Sequence, residues 1–202
     1  MAESPKPERI RFKMKFALLM SNGETVALAS RLAAVGITPC IAAPNEALPL
    51  SDLLIFDESV PLTSPDAKRN TFRLISEALS ARKPVMAVLT DNAPVSPKCA
   101  LTVNELLGFS SMAVVTPAGA REILGLDGEY ESDPLIGETF GGDPVLSEAA
   151  ALARDLVTAH ELSFSLLFLP EENRGILYTG EAYDVIEAET LENAIAEIFR
   201  TA

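Results

Sequence analysis

The sequence contains no tryptophan, one histidine and two cysteines among its 202 residues. Cys40 and Cys99 are too few for a disulfide framework or a four-cysteine metal site, which fits a reducing compartment. No apolar run approaches the roughly 20 residues that cross a bilayer. The charged N-terminal stretch is followed by no apolar segment of the secretory type. We therefore expect a cytoplasmic protein without a membrane span.

Basic residues are also scarce, with 16 Lys and Arg against 29 Asp and Glu and a formal net charge of −13. An acidic chain repels nucleic acids and anionic membranes, so neither is an expected partner. The excess charge lies almost wholly after residue 126, where the only basic side chains are Arg154, Arg174 and Arg200. This change in composition predicts a boundary between a nearly neutral first part and an acidic second part.

The chain is rich in hydrophobic residues, at 48%, which is ample for a packed core. Up to residue 126, short apolar runs alternate with amphipathic stretches. The predicted strands are Phe16–Met20, Ile37–Ala43, Leu53–Phe56, Val85–Leu89 and Met112–Val115. Apolar strands separated by helices are typical of a parallel sheet covered on both faces. With right-handed crossovers, the pattern predicts an α/β fold with a doubly wound five-stranded parallel sheet of order 2-1-3-4-5.

Four segments are predicted along the chain. Residues 1–13 form a flexible N-terminal arm, and residues 14–126 form the α/β domain. Residues 127–143 (DGEYESDPLIGETFGGD) are rich in glycine and acid, which is typical of a linker or surface loop. Residues 144–202 show a helix, three strands and a closing helix, and we expect a small acidic α+β part.

Three segments resemble the receiver (CheY-like) domain of two-component response regulators. Leu53–Pro61 resembles the third strand of that family, which ends in the phosphoacceptor, here Asp57. Lys83–Thr90 resembles the fourth strand with its terminal hydroxyl residue, Thr90. Leu107–Pro117 resembles the fifth strand, where the family has Lys-Pro and this chain has Thr116 before proline. The resemblance implies a flavodoxin-like fold over residues 15–125 and a pocket at the strand ends.

The departures from the receiver pattern concern the charges of that pocket. The family holds Mg²⁺ with an acidic pair after the first strand, and this chain has Ser21 and Asn22 there. Mg²⁺ prefers carboxylate oxygens, and phosphoryl transfer needs positive charge that the missing lysine would supply. Asp57, Thr90, Ser21, Asn22 and Thr116 are thus predicted to form a vestigial phosphoacceptor pocket. The resemblance implies a pseudo-receiver with no catalytic residues, no metal and no cofactor.

A second resemblance lies in the acidic part. Asp133–Gly137 is similar to the opening motif of GGDEF diguanylate cyclase domains. The degenerate GGDEF-like hairpin comprises Thr179, Gly180, Glu181, Ala182 and Tyr183. Because the second glycine and the middle carboxylate of the motif are altered, the resemblance implies no diguanylate cyclase activity. Binding of a cyclic dinucleotide is left open.

The leading hypothesis is a non-catalytic signalling protein that is not an enzyme and acts through protein–protein interaction. Its interaction face would be Thr102–Ala120, with Leu106, Phe109 and Met112 as apolar contacts. Expected partners are other signalling proteins, such as a histidine kinase or a response regulator, or a second copy of the chain. Two alternatives stay open: a response regulator that accepts phosphate on Asp57 with Mg²⁺, and a flavodoxin-like small-molecule-binding or hydrolytic enzyme.

Overall fold

A computed structural model describes most of the chain in several stretches. The described residues are 13–19, 24–43, 46–57, 65–88, 110–128, 130 and 133–200, with the backbone alone at 24–26, 57 and 67. Within these ranges lie eight strands and six α-helices. None of these helices combines the length and the apolar character needed to cross a membrane.

The strands and helices have the following bounds. The strands are β1 (Phe16–Leu19), β2 (Cys40–Ala42), β3 (Leu53–Asp57), β4 (Val85–Val88), β5 (Met112–Val115), β6 (Phe164–Leu169), β7 (Arg174–Tyr178) and β8 (Tyr183–Glu187). The helices are α1 (Glu24–Ala34), α2 (Pro65–Ser80), α3 (Pro117–Leu124), α4 (Pro134–Thr139), α5 (Pro144–His160) and α6 (Leu191–Arg200). A 3₁₀ turn at Pro170–Glu172 joins β6 to β7.

All eight strands belong to one sheet, in the order β2-β1-β3-β4-β5-β6-β7-β8. The strands from β2 to β6 run parallel, and β7 and β8 form an antiparallel hairpin at the end. The predicted five-stranded flavodoxin-like sheet with a small α+β part is therefore wrong. The sheet does not end at β5, because β6 pairs with it in parallel, with Met112 opposite Phe164 and Val115 opposite Leu167.

The acidic composition of the second half does not separate its strands from the first half. β6 has the sequence FSLLFL, and its last five residues are buried like those of β1 and β4. The excess carboxylates lie mostly at exposed or half-buried positions of helices and turns. The change in charge along the chain thus reflects the composition of the surface, while strands from both halves contribute to the core on each face of the sheet.

Helices cover both faces of the sheet, because successive side chains of a strand point to opposite faces. Val115 of β5 packs in the core beneath α3 and α5, while Val114 packs in the core that α1 and α6 cover. α2 covers the same face as α5, over β1, β3 and β4. The contact of α5 with β6 is close because small side chains face the sheet, and the Ser165 hydroxyl donates to the Ala153 carbonyl at 2.7 Å.

The last helix returns the chain to its first elements. Arg31 of α1 donates from Nε to Glu192 Oε1 of α6 at 2.6 Å, and the Glu192 residue is only 7% exposed. Phe199, near the end of α6, makes an edge-on contact with Phe16 at the start of β1, with ring centroids 5.3 Å apart. These two contacts fix α6 beside α1 on one face of the sheet.

We expect Glu192→Ala to lower the free energy of unfolding by about 1–3 kcal/mol, because a nearly buried charge-assisted hydrogen bond is lost. Urea unfolding measures the effect. Arg69→Ala, which breaks the highly exposed pair with Asp66, is the matched control and should stay within about 0.5 kcal/mol. Equal losses in the two variants would mean that the Arg31–Glu192 pair does not hold α6.

Candidate functional site

The carboxyl edge of the parallel strands is where open α/β sheets bind their ligands. In this sheet the edge continues past β6, because β7 runs back from it and β8 returns to it. The register shows this directly: Leu169 at the end of β6 lies opposite Arg174, and Arg174 lies opposite Glu187 at the end of β8. α6 begins four residues after Glu187, so its N-terminus also lies at this edge.

A shallow, open groove of about 400 Å³ begins at that edge and follows α6 as far as Arg200, the last residue of the helix. It is bounded by the β6–β7 turn, the end of β8 and one side of α6. Its lining residues are Asn173, Glu187, Ala188, Glu189, Asn193, Glu197 and Arg200. The three residues from α6 share one face because they are spaced by four and three positions.

Local hydrogen bonds hold the groove together. Asn173 adopts a left-handed backbone conformation with φ of 50°, which ends the 3₁₀ turn. Its carbonyl accepts from the Ala188 amide at 3.0 Å, which joins the β6–β7 turn to the segment after β8. The Thr190 hydroxyl accepts from the Asn193 amide at 3.1 Å and caps the start of α6. Both sides of the groove are therefore tied to regular elements.

The carboxylates of the groove differ in their partners. Glu197 accepts from Arg200 at 2.8 Å, and Glu187 lies 3.4 Å from Arg174 Nε, an ion pair without a hydrogen bond. Glu189 has no basic partner among the described residues. The groove thus offers one unpaired carboxylate beside two amide side chains, Asn173 and Asn193, at the N-terminal end of a helix. A carboxylate accepts protons, amides bind polar groups, and a helix N-terminus favours negative charge.

The groove does not contain a ready-made metal site. Over the described ranges, no group of three or more His, Cys, Asp or Glu residues is placed to hold a metal ion.

The predicted phosphoacceptor residues lie only partly in the described structure. Asp57 is the last residue of β3 and Thr116 follows β5, so both lie at the carboxyl edge. The Thr116 side chain is a helix cap: Oγ1 accepts from the Gly119 amide at 3.3 Å, and the residue is 2% exposed. Ser21, Asn22 and Thr90 lie outside the described residues. Thr116 is not among the residues that line the groove.

Of the three apolar contacts predicted for the interaction face, only Met112 is among the described residues. Met112 begins β5 and packs, half-buried, against the core shared with α1 and α6. Leu106 and Phe109 lie outside the described residues, so the face stays a prediction.

The segment with a GGDEF-like pattern is the turn between β7 and β8. The Thr179 amide donates to the Ala182 carbonyl at 3.2 Å, and Gly180 has φ of 89°. Tyr183 stacks on Tyr178 with ring centroids 4.6 Å apart. Because β7 runs back from the carboxyl edge, this turn lies at the opposite edge of the sheet, away from the groove. Glycine and polar residues are there because a tight hairpin needs them.

A second polar cluster lies beneath α4 and has a structural role. Tyr130 donates its hydroxyl to Asp155, and burial together with that carboxylate raises the pKa of Tyr130 to about 12. Arg154 lies 3.2 Å from both Asp155 and Asp133. Burial also raises the pKa of Tyr183. The two tyrosines stay neutral near pH 7, and the cluster joins α5 to the segments before it.

No protein-family model matches the chain, and no curated protein matches it. Solved structures match it instead. A hydroxyethylthiazole kinase from Pyrococcus horikoshii OT3 has a TM-score of 0.60 at 16% identity, over 85% of this chain and 61% of that one. A phosphomethylpyrimidine kinase from Clostridium difficile 630 has a TM-score of 0.58 at 12% identity, over 93% and 91%. The Bacillus subtilis pyridoxal kinase in its ADP complex has a TM-score of 0.54 at 14% identity, over 94% and 86%.

These similarities show that the chain has a ribokinase-like fold. At such identities they show the fold alone, and the chain spans about 61% of the hydroxyethylthiazole kinase. The identification as a receiver domain followed by a GGDEF remnant is wrong, because neither fold continues a parallel sheet into β6 and a closing hairpin. The prediction of a non-catalytic signalling protein is wrong with it, since the matching structures are small-molecule kinases. The alternative of a small-molecule enzyme agrees better with them.

Thr116→Ala removes the hydroxyl that caps α3, and we expect a loss of about 0.5–2 kcal/mol in the free energy of unfolding. Thr116→Ser keeps the cap oxygen and should lose clearly less. Thermal and urea unfolding of the two variants give the comparison. If serine were as damaging as alanine, the methyl group and not the cap would be what Thr116 contributes.

Proposed function

We propose that the chain is a small-molecule kinase that transfers a phosphoryl group from a nucleoside triphosphate to the hydroxyl of a small heterocyclic alcohol. The observation that carries the proposal is the groove at the carboxyl edge, between the β6–β7 turn and α6. The fold gives further support. Over most of its length the chain shares it with kinases named for phosphomethylpyrimidine and pyridoxal.

In this proposal Glu189 is the general base. The hydroxyl oxygen attacks the terminal phosphorus, the bond from that phosphorus to the nucleoside diphosphate breaks, and the hydroxyl proton passes to Glu189. Glu189 suits the role because it is the groove carboxylate without a basic partner among the described residues. A proton acceptor that was already neutralised by an arginine would be weaker.

The start of α6 supplies the electrostatic contribution. Negative charge spreads over the transferred phosphoryl oxygens in the transition state. The free amides and the dipole at a helix N-terminus stabilise such charge. The Thr190 cap holds the first turn of α6 in place, and the pair of Arg31 with Glu192 anchors the same turn to α1.

The two asparagines of the groove bind the uncharged part of the ligand. Amides donate and accept hydrogen bonds at once, which suits ring nitrogens and hydroxyl groups. The groove carries three carboxylates against Arg200, so it does not attract a phosphate chain along its whole length. In this proposal the phosphates of the donor bind at the N-terminus of α6, where the first turn of the helix offers backbone N–H donors.

Incubation with ATP and Mg²⁺ tests the activity. Hydroxyethylthiazole and pyridoxal are each supplied as acceptor alcohol, and formation of ADP and of the phosphorylated product is measured. We expect ADP formation that depends on one of these alcohols. Absence of nucleotide binding in calorimetry, with every acceptor present at millimolar concentration, would contradict the proposal.

Glu189→Gln should lower kcat by about 10²–10⁴-fold, because general-base catalysis contributes that much. The KM for both substrates should change little, since the shape of the groove is retained. Glu171→Gln alters an exposed carboxylate in the 3₁₀ turn outside the groove and is the matched control. Full activity in Glu189→Gln would remove Glu189 from the reaction.

A further inference from the structure

β8 ends the sheet with an open edge. In the described part of the chain it pairs on one side only, with β7, in an unbroken register from Arg174–Glu187 to Tyr178–Tyr183. Proteins usually protect such an edge with charged side chains (lysine above all), proline, a bulge or a short strand, because its free backbone groups pair with other strands. The charges on β8 are both acidic, Asp184 and Glu187, and they repel a like strand but not a basic one. β8 has the sequence YDVIE and contains neither lysine nor proline.

The side chains of this edge select what pairs with it. Val185 is 45% exposed and lies on the face covered by α5, since it is opposite Ile176. Asp184 is exposed on the other face and has no basic partner among the described residues. Glu181 precedes the strand and Glu187 ends it. A second β8 would meet like charges at this edge, whereas a basic strand with apolar residues on one side complements it.

The N-terminal sequence of this chain has that pattern. From residue 9 to residue 16 basic and apolar residues alternate without a break, as Arg-Ile-Arg-Phe-Lys-Met-Lys-Phe. A period of two is the pattern of a half-covered strand, with all of its basic residues on one side. Ile10 and Phe12 would then meet the face of Val185, while Arg9 and Arg11 would meet the face of Asp184.

Residues 9–12 cannot reach β8 of their own molecule. β1 and β8 are six strand positions apart in the sheet, which is roughly 29 Å at 4.8 Å per position. Residues 9–12 extend at most about 14 Å beyond Lys13, which lies three residues before the start of β1. The edge within reach of this segment is therefore that of another molecule.

We propose that residues 9–13 of one molecule add as a strand to β8 of a second copy of the chain. Backbone hydrogen bonds along β8 supply the affinity, and the charges on the two strands fix the pairing. Reciprocal exchange between two molecules closes a dimer, and a one-way contact builds a longer chain. The proposal does not depend on the enzymatic activity proposed above.

Light scattering coupled to size-exclusion chromatography tests the proposal on the full chain. We expect self-association at low ionic strength that weakens at least tenfold at about 0.5 M salt, where charge pairs are screened within a few ångströms. The double variant Arg9→Glu with Arg11→Glu should be monomeric. The double variant Glu181→Lys with Asp184→Lys should also be monomeric. Glu171→Lys with Glu172→Lys, which lies outside β8, should associate like the unchanged chain.

Mixing the two monomeric variants tests whether residues 9–13 of one molecule pair with β8 of another. The acidic N-terminal segment of one variant complements the basic edge of the other, so association should return only in the mixture. Circular dichroism checks that each variant is folded, and Val185→Lys gives a second edge variant that should not associate. A chain that is monomeric at every ionic strength would overturn the proposal, and so would association that survives in the Arg9→Glu, Arg11→Glu variant.

Discussion

The parallel pairing of β6 with β5 is the constraint on which the rest of the molecule depends. It carries the sheet past the fifth strand and extends the carboxyl edge to the β6–β7 turn. The hairpin of β7 and β8 then returns the chain to that edge and places the start of α6 there. The groove forms because the end of β6, the end of β8 and the start of α6 all lie at this edge. A sheet that stopped at β5 would have left Asn173 and Glu189 in separate surroundings.

The position of α6 links the groove to the remainder of the fold. Its first turn is anchored to α1 by the nearly buried Glu192, and its last turn packs on the first strand through Phe199. Contacts at both of its ends therefore hold α6 rigidly against the core. This rigidity matters for phosphoryl transfer, which relies on fixed positions and charges more than on covalent chemistry by the protein. A groove on a mobile segment would not hold a base and a helix end in register.

Much of the secondary structure was predictable from local pattern. The apolar runs at β1, β3, β4 and β5 are strands, and the amphipathic run from Pro144 to His160 is α5. The neighbour of β6 was not predictable, since apolar alternation shows that a strand is buried but not which strand it pairs with. The acidic composition of the second half suggested a separate part because carboxylates at its surface dominate the count. Resemblance to short motifs misled for a related reason: the Thr116-Pro117 pair after β5 is the N-cap and first residue of α3, a common way to begin a helix.

The groove was beyond reach of the sequence because its members meet only in the folded chain. Asn173 and Asn193 are twenty positions apart and are joined by a hairpin and a helix cap, with no spacing that a motif records. A crystal structure of the chain soaked with a non-hydrolysable ATP analogue would test the proposed function most directly. We expect the analogue between the β6–β7 turn and α6, with its terminal phosphate at the N-terminus of α6 and close to Glu189. An analogue bound elsewhere on the molecule, or a sheet in which β6 does not pair with β5, would contradict it.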